Sequence, residues 1–197
     1  MAYTETPWGY DVDGELPPLI DAYEFAAIKG SKWDGDERLD GAIASANAAI
    51  RSYCGWHVYP SMPCRAVIDA SGTASVWLPT THLTSVNSLS VSGAEVDGYQ
   101  WSRIGQLLPS VRVPRGLQAA EVEYVAGYSA VPADLAEAVA DVVLRRIALS
   151  YGVTSERAGD VSISYGGSAV YGGGSASLTD SERAALMPYR VVMAHAT

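Results

Sequence analysis

The side chains best able to do chemistry in this 197-residue chain are three histidines and two cysteines. His57, His82 and His195 are not spaced as a metal-binding pair, and Cys54 and Cys64 match no zinc or redox motif. Cys54 and His57 form a Cys-x-x-His sequence at a predicted helix end, but no second pair and no orienting group for a nucleophile accompany them. We therefore predict buried free thiols, partly exposed or hydrogen-bonded histidines and no metal site.

Two other stretches suggest ligand sites. The run "GGSAVYGGG" (166–174) lacks the Gly-Lys-Ser/Thr ending of a phosphate loop and has no surrounding βαβ unit, so it is typical of a flexible linker. The run "DGDE" (34–37) lacks the other ligands of a calcium loop and is explained by a helix N-terminus. No Gly-x-Ser-x-Gly motif is present. These patterns predict no cofactor.

The stretch "SERAGDVSISYGG" (155–167) combines charged, hydroxyl and aromatic side chains with a short alternating strand. A catalytic interpretation fails because no general base or oxyanion site accompanies these residues. Two structural interpretations stay open. In one, Val161, Ile163 and Tyr165 close a small internal sheet. In the other, the strand pairs at a sheet edge with another protein chain.

Composition narrows the classes of function. The chain has 22 acidic and 13 basic residues and a net charge of −9, which argues against general nucleic-acid binding because phosphate neutralisation needs clustered Lys and Arg. No segment approaches the roughly 18 uninterrupted apolar residues of a membrane span. The N-terminus lacks the basic start and apolar core of a signal peptide. We expect a protein that stays in the cytoplasm where it is made.

Apolar residues at spacings of three and four, together with capping residues, predict four helices. The clearest apolar stripe runs from Leu39 to Tyr53, and a second begins at Leu135. A Thr179–Glu182 capping box introduces the last helix. The expected segments are 19–28 ending near Gly30, a helix capped by Asp34 or Asp36 and ending at Gly55, a helix from Pro132 to Gly152, and 180–187.

Residues 60–130 differ from the helical segments because turn signals recur and several stretches alternate with period two. Val122, Tyr124 and Ala126 alternate with Glu121, Glu123 and Val125 in the clearest of them. The predicted fold class is α+β, a small helical bundle with an inserted antiparallel β subdomain. The predicted divisions are a flexible acidic N-terminal arm (1–16), a helical segment (17–59), a β-rich insertion (60–130), and a helical segment with a docking strand and C-terminal tail (131–197).

Four motifs in this order resemble the head-to-tail connector (adaptor) proteins of long-tailed bacteriophages. Together they span roughly residues 40–190. They are "AIRSYCGW" (49–56), "VEYVAGYSAVPADLAEAV" (122–139), "SERAGDVSISYG" (155–166) and "LTDSERAALMPYR" (178–190). The long Ser-, Val- and Trp-rich insertion is variable in that family, and the acidic N-terminus is not part of its pattern.

The resemblance implies a structural protein with no catalysis and no cofactor. Such proteins form a ring, usually of twelve copies, beneath the portal protein of a DNA-filled capsid, and they give the tail-side neck or tail terminator protein a docking surface. Genomic DNA passes through the channel without sequence-specific binding, and no membrane is involved. The implied location is the virion neck, with assembly in the host cytoplasm. Alternatives are another phage neck or tail-completion protein, a phage hydrolase, or a cellular β-containing binding module.

Under this resemblance the third and fourth motifs become candidates for interaction with a neighbouring subunit or the portal. We favour edge pairing by the strand because a glycine-rich linker makes it easy to exchange between chains. The candidate residues are Glu156, Arg157, Asp160, Val161, Ser162, Ile163, Ser164, Tyr165, Tyr189 and Arg190.

Overall fold

The computed structural model describes residues 3–33, 35–150, 155–158, 161–164 and 177–191. These residues form two compact units, each assembled from separate parts of the chain. The sheet unit contains the described residues of 1–17, 54–130 and 189–197, and the helical unit contains those of 18–53 and 131–188. The helical segments before and after the β-rich insertion therefore belong to one unit, and the model confirms the α+β class.

Four helices account for most of the helical unit. They are α1 (Ala22–Lys29), α2 (Leu39–Cys54), α3 (Ala133–Ser150) and α4 (Asp180–Leu186), with short 3-10 turns at Ser31–Trp33 and Met187–Tyr189. The predicted apolar stripes are confirmed, since Ile43 and Ile50 of α2 and Leu135, Val139 and Ile147 of α3 are buried. Burial of these stripes is the main stabilising contribution to helices of this length.

Helix α1 begins three residues later than predicted because Asp21 supplies its N-terminal cap. The Asp21 side chain accepts a hydrogen bond from the Glu24 N–H at 2.7 Å, and the Glu24 carboxylate accepts one from the Asp21 N–H at 2.9 Å. Gly30 ends the helix with a φ of 85°. Leu19 is instead held outside the helix, where its N–H donates to the buried Asn47 side chain on α2 at 2.6 Å.

The start of α2 also differs from the prediction. Asp36 lies before the helix and shapes the preceding turn: its carboxylate accepts from the Arg38 N–H at 3.0 Å, and its carbonyl accepts from the Leu39 N–H at 3.0 Å. Asp34, the other predicted cap, and Gly152, the predicted end of α3, lie outside the described residues.

Three antiparallel sheets contain all the described strands. The first sheet has six strands in the order β1-β2-β3-β9-β5-β6, the second has three in the order β4-β8-β7, and the third contains β10 and β11. The strands are β1 (Tyr3–Glu5), β2 (Tyr10–Asp13), β3 (Met62–Ala70), β4 (Val76–Trp77), β5 (Leu83–Val91), β6 (Ala94–Glu95), β7 (Tyr99–Trp101), β8 (Gln106–Pro109), β9 (Gly116–Ala126), β10 (Ser155–Ala158) and β11 (Val161–Ser164).

The two faces of the six-stranded sheet differ in polarity, as the alternation in sequence predicts. At its centre β9 pairs with β3 and β5, so that Tyr124 lies opposite Cys64 and Glu123 lies opposite Arg65. Cys64, Val122 and Tyr124 are buried on the inner face. Glu123 and Arg65 point to the outer face, because successive side chains of a strand alternate between the two sides.

The N-terminus differs from the flexible arm predicted over residues 1–16. Strand β2 pairs with β3, placing Val12 opposite Cys64, and β1 extends the sheet by pairing with β2. Tyr10 and Val12 are buried, so this segment contributes two apolar side chains to the core. The prediction failed because a two-residue apolar alternation among Gly, Pro and acidic residues is too short to mark a strand without its partner.

Candidate interaction surfaces

The model places the predicted docking strand in a short hairpin. Strand β11 pairs antiparallel with β10, the segment directly before it, with Glu156 opposite Ile163 and Arg157 opposite Ser162. Val161 and Ser164 lie at the two ends of β11. Within the described residues the hairpin is a two-stranded sheet of its own, joined to neither of the other sheets. The predicted residues Asp160 and Tyr165 lie outside the described part of the chain.

Tyr189 and Arg190 belong to the sheet unit, whereas the hairpin belongs to the helical unit. Tyr189 is buried, its ring meets that of Tyr128 at 5.8 Å, and its carbonyl accepts a hydrogen bond from Trp56 Nε1 at 2.7 Å. Tyr189 therefore packs within its own chain, and Arg190 is exposed.

His57 is hydrogen-bonded, as predicted, and it is buried in the sheet unit. Its Nε2 lies 3.0 Å from the Pro60 carbonyl oxygen and 3.1 Å from that of Ala126, so Nε2 carries the proton and donates. Its Nδ1 accepts from the Tyr10 hydroxyl at 2.8 Å. That hydroxyl accepts in turn from the His57 backbone N–H at 2.9 Å. Every polar atom of the imidazole is thus used to join three segments of the chain.

The two cysteines are unsuited to nucleophilic chemistry. Cys54 and Cys64 are buried free thiols, which confirms the prediction. Burial raises the pKa of each thiol to about 12, so neither forms the thiolate that attacks a substrate or binds a metal. Across the described residues no three His, Cys, Asp or Glu side chains are grouped so as to hold a metal ion. None of the described helices is long and apolar enough to cross a membrane.

Gly127, in the "VAGY" motif, occupies a position where a side chain does not fit. Its φ is 110°, and an added Cβ would lie 2.7 Å from the Pro60 carbonyl carbon and 2.8 Å from His57 Nε2. The Gly127 N–H donates to the His82 carbonyl at 3.0 Å. The glycine therefore allows the end of β9 to approach the segment that follows α2.

The "LTDSERAALMPYR" motif positions α4 on α3 through a half-buried ion pair. Glu182 accepts from Arg145 Nε at 2.7 Å and from the Thr179 N–H at 2.7 Å, which combines the ion pair with the predicted capping box. Burial alone would raise the pKa of Glu182, but the hydrogen bonds from Arg145 and Thr179 outweigh it and lower that pKa. The sequence revealed the capping box, but the partnership of Arg145 with Glu182 spans 37 positions and has no local signal.

The outer surface of the six-stranded sheet is strongly acidic. The strand register places six carboxylates on this surface. Arg65 lies among them and forms an ion pair with Glu121. Three of the carboxylates line a groove of about 250 Å³ together with Ser88 and Ser90. We name this surface the acidic face. Its residues are Glu5, Asp11, Asp13, Glu95, Glu121 and Glu123.

The three-stranded sheet presents a surface of different chemistry. Trp77 lies opposite Gln106 and on the same side as Leu108, and these two apolar side chains remain 42% and 44% exposed. Their neighbours Val76 and Leu107 face inward and are buried. Beyond Pro109, a groove of about 430 Å³ is lined by Val111 and Arg112 among others. We use the name apolar–arginine face for exposed residues of the three-stranded sheet and of the loop that follows β8, namely Trp77, Leu108, Val111, Arg112 and Arg115.

Comparison with known proteins gives a matching family and similar solved structures. A family model described as "Head completion protein" matches residues 19–192, which include most of both compact units. A chain from the neck of a native GTA particle, computed with C12 symmetry, is 17% identical, with a TM-score of 0.49 and coverage of 91% of this chain and 96% of that one. No curated protein matches this chain.

Proposed function

The chain belongs to the head completion protein family, and on that premise we propose that its copies form a ring that joins the portal of a DNA-filled capsid to the tail. Its role is structural, as a head-to-tail connector in the neck of a phage-like virion. The observation that carries this function is the family match, which extends over 174 of the 197 residues, from 19 to 192. We propose a ring of twelve copies because the four motifs resemble those of connector proteins, which usually form rings of twelve.

The partners that we propose are the chain itself, the portal protein on one side and a tail-side neck or tail terminator protein on the other. We further propose that the ring is assembled in the host cytoplasm and has no catalytic activity. Its described thiols have pKa values of about 12, and the imidazole of His57 is fully used in structural hydrogen bonds. Two of the motifs coincide with packing features of this chain: Gly127 of the second lies against Pro60, and Glu182 of the fourth pairs with Arg145.

Particles assembled without this chain are expected to be DNA-filled heads that lack tails, because the portal would have no connector. Electron microscopy of such particles, and of particles complemented with the wild-type chain, measures the fraction that carries tails. In complemented particles, averaged images of the neck should contain the ring directly beneath the portal. Tailed particles formed at the normal frequency without the chain would refute the connector function. A ring located elsewhere in the neck would instead favour another neck or tail-completion protein.

The channel of the proposed ring is expected to let DNA slide. Each copy carries a net charge of −9, and acidic surfaces repel phosphates and release no counterions from DNA. The purified assembly should therefore retain no duplex DNA in a mobility-shift assay at physiological salt, with a lysine-rich DNA-binding protein as the positive control. A complex that weakens as salt is raised would contradict this prediction.

The hairpin of β10 and β11 is our candidate for edge pairing with a neighbouring subunit or the portal. Two strands of four residues are marginal as an isolated hairpin in water, so a further strand would stabilise it. Each strand has one edge that is not paired within the hairpin, and such an edge is a template for β-augmentation.

A further inference from the structure

We propose that the acidic face of one copy binds the apolar–arginine face of the next copy, and that this contact joins the sheet units around the ring. The inference rests on the proposed ring, and it specifies which surfaces of this chain meet. Both surfaces belong to the sheet unit but lie on different sheets, so one copy can use both at once.

The acidic face is suited to a cationic partner. The six carboxylates of this face repel each other, and the single guanidinium of Arg65 offsets only part of that repulsion. An approaching positive charge relieves the rest. Glu95 is exposed, and Glu121 and Glu123 line the groove on the same face, so their carboxylates are accessible to a partner. A second acidic face would be repelled, which disfavours a symmetric contact between two copies of this surface.

The apolar–arginine face has the chemistry that complements it. Arg112 and Arg115 are both exposed, and residues 98–118, which include both, contain no Asp or Glu. Both arginines lie near Gly72: Arg112 donates to the Gly72 carbonyl at 3.4 Å, and Arg115 Cβ is 3.4 Å from the position of a Cβ built on Gly72. Arginine pairs with carboxylates through two parallel hydrogen bonds, which adds geometric specificity to charge attraction.

Trp77 and Leu108 supply the apolar part of the same surface. Tryptophan and arginine are the residues that most often dominate binding energy at protein interfaces. Arg112 lines the groove, and Trp77 and Leu108 on the three-stranded sheet are 42% and 44% exposed. Association would bury these side chains, and Arg112 and Arg115 would set the orientation.

Contact between two unlike surfaces has a consequence for symmetry. Each copy that docks in this way still offers one unused face of each kind, so further copies add head to tail until the rotation closes a ring. The charge complementarity of the two faces therefore supports a second copy of this chain as the occupant, in the arrangement that a connector needs.

Two charge-reversal variants and their mixture test this contact in the full chain. Glu95→Lys with Glu123→Lys reverses part of the acidic face and leaves the Arg65–Glu121 pair intact. Arg112→Glu with Arg115→Glu reverses the other face. Each variant alone brings like charges together, so its association constant in sedimentation velocity should fall at least about tenfold from the wild-type value. An equimolar mixture should regain most of the association, because each variant then meets an oppositely charged face of the other.

The control for the acidic-face variant is Glu37→Lys with Glu137→Lys, which makes the same change in net charge as that variant on exposed positions of the helical unit. It should associate like the wild type, and circular dichroism should show all variants folded. Equal loss of association in the control, or no recovery in the mixture, would overturn the proposed contact. Wild-type chain that stays monomeric up to its solubility limit would also overturn it. Electron microscopy of the neck tests the connector function separately. If a ring is present beneath the portal but the charge-reversal variants associate like the wild type, only this contact is refuted.

Discussion

Deletion of residues 160–165 is expected to abolish the joining of heads to tails while both compact units stay folded. Strand β11 pairs with β10 and, among the described residues, belongs to neither of the larger sheets, so its removal takes no strand from them. If the strand docks on a partner by edge pairing, losing several backbone hydrogen bonds should weaken that contact by on the order of a hundredfold or more. Electron microscopy of complemented particles would count the tailed fraction, and thermal unfolding would compare the purified chains.

Two substitutions of Ile163 distinguish backbone pairing by the strand from contacts made by its side chains. Ile163→Pro removes a backbone N–H and should reproduce much of the joining defect, because proline disrupts strand pairing. Ile163→Thr keeps a β-branched side chain and should join normally. A deletion variant that unfolds would favour the internal-sheet interpretation, in which the strand belongs to the chain's own core. A folded deletion variant that still joins heads to tails would disprove the docking hypothesis.

Gly127→Ala is expected to destabilise the sheet unit by at least about 3 kcal/mol, the sum of a strained backbone conformation and a core overlap. Its φ of 110° is outside the region that alanine adopts readily. The new Cβ would also lie within contact distance of the Pro60 carbonyl group and 2.8 Å from His57 Nε2. Because many domains are stable by only about 5–15 kcal/mol, chemical denaturation should resolve this loss.

Gly93→Ala is the matched control for the glycine prediction. Gly93 has a φ of 79°, also in the left-handed region, but no atom lies within 4 Å of a Cβ built on it. This variant reports the backbone strain alone, which should be about 1 kcal/mol. If Gly127→Ala were no more destabilising than Gly93→Ala, the close approach of Gly127 to Pro60 and His57 would not constrain the fold.

Local features of the sequence were enough to predict most of the secondary structure. Helix α4 could be located because Thr179 and Glu182 lie three residues apart, the spacing that lets each side chain reach the other's backbone. The central strand β9 could be recognised because Glu121 and Glu123 alternate with buried Val122 and Tyr124. The cysteines could be predicted to be unreactive because their spacing matches no zinc or redox motif. All of these signals operate over a few residues, so the tertiary fold was not needed to detect them.

The candidate surfaces depended on the tertiary fold to different degrees. The candidate docking strand was recognised from the alternation of its apolar and polar residues, but its pairing with β10 was known only from the strand register in the structure. Tyr189 could be named as a candidate, but its burial against Trp56 and Tyr128 required segments more than 60 residues apart to meet. Neither interaction face was visible in the sequence, since Asp11, Arg65 and Glu123 become neighbours only when three strands pair.

The sequence by itself therefore determined the helices, the central strands, the α+β class and the motifs that resemble connector proteins, because capping and alternation are short-range effects. The tertiary structure decided that the N-terminus is part of a sheet, that Gly127 must lack a side chain, and that Arg145 pairs with Glu182. It also grouped six dispersed carboxylates into one face and placed Trp77 and Leu108 on another. Strand register and helix packing set these long-range contacts, and no local pattern of residues specifies either one.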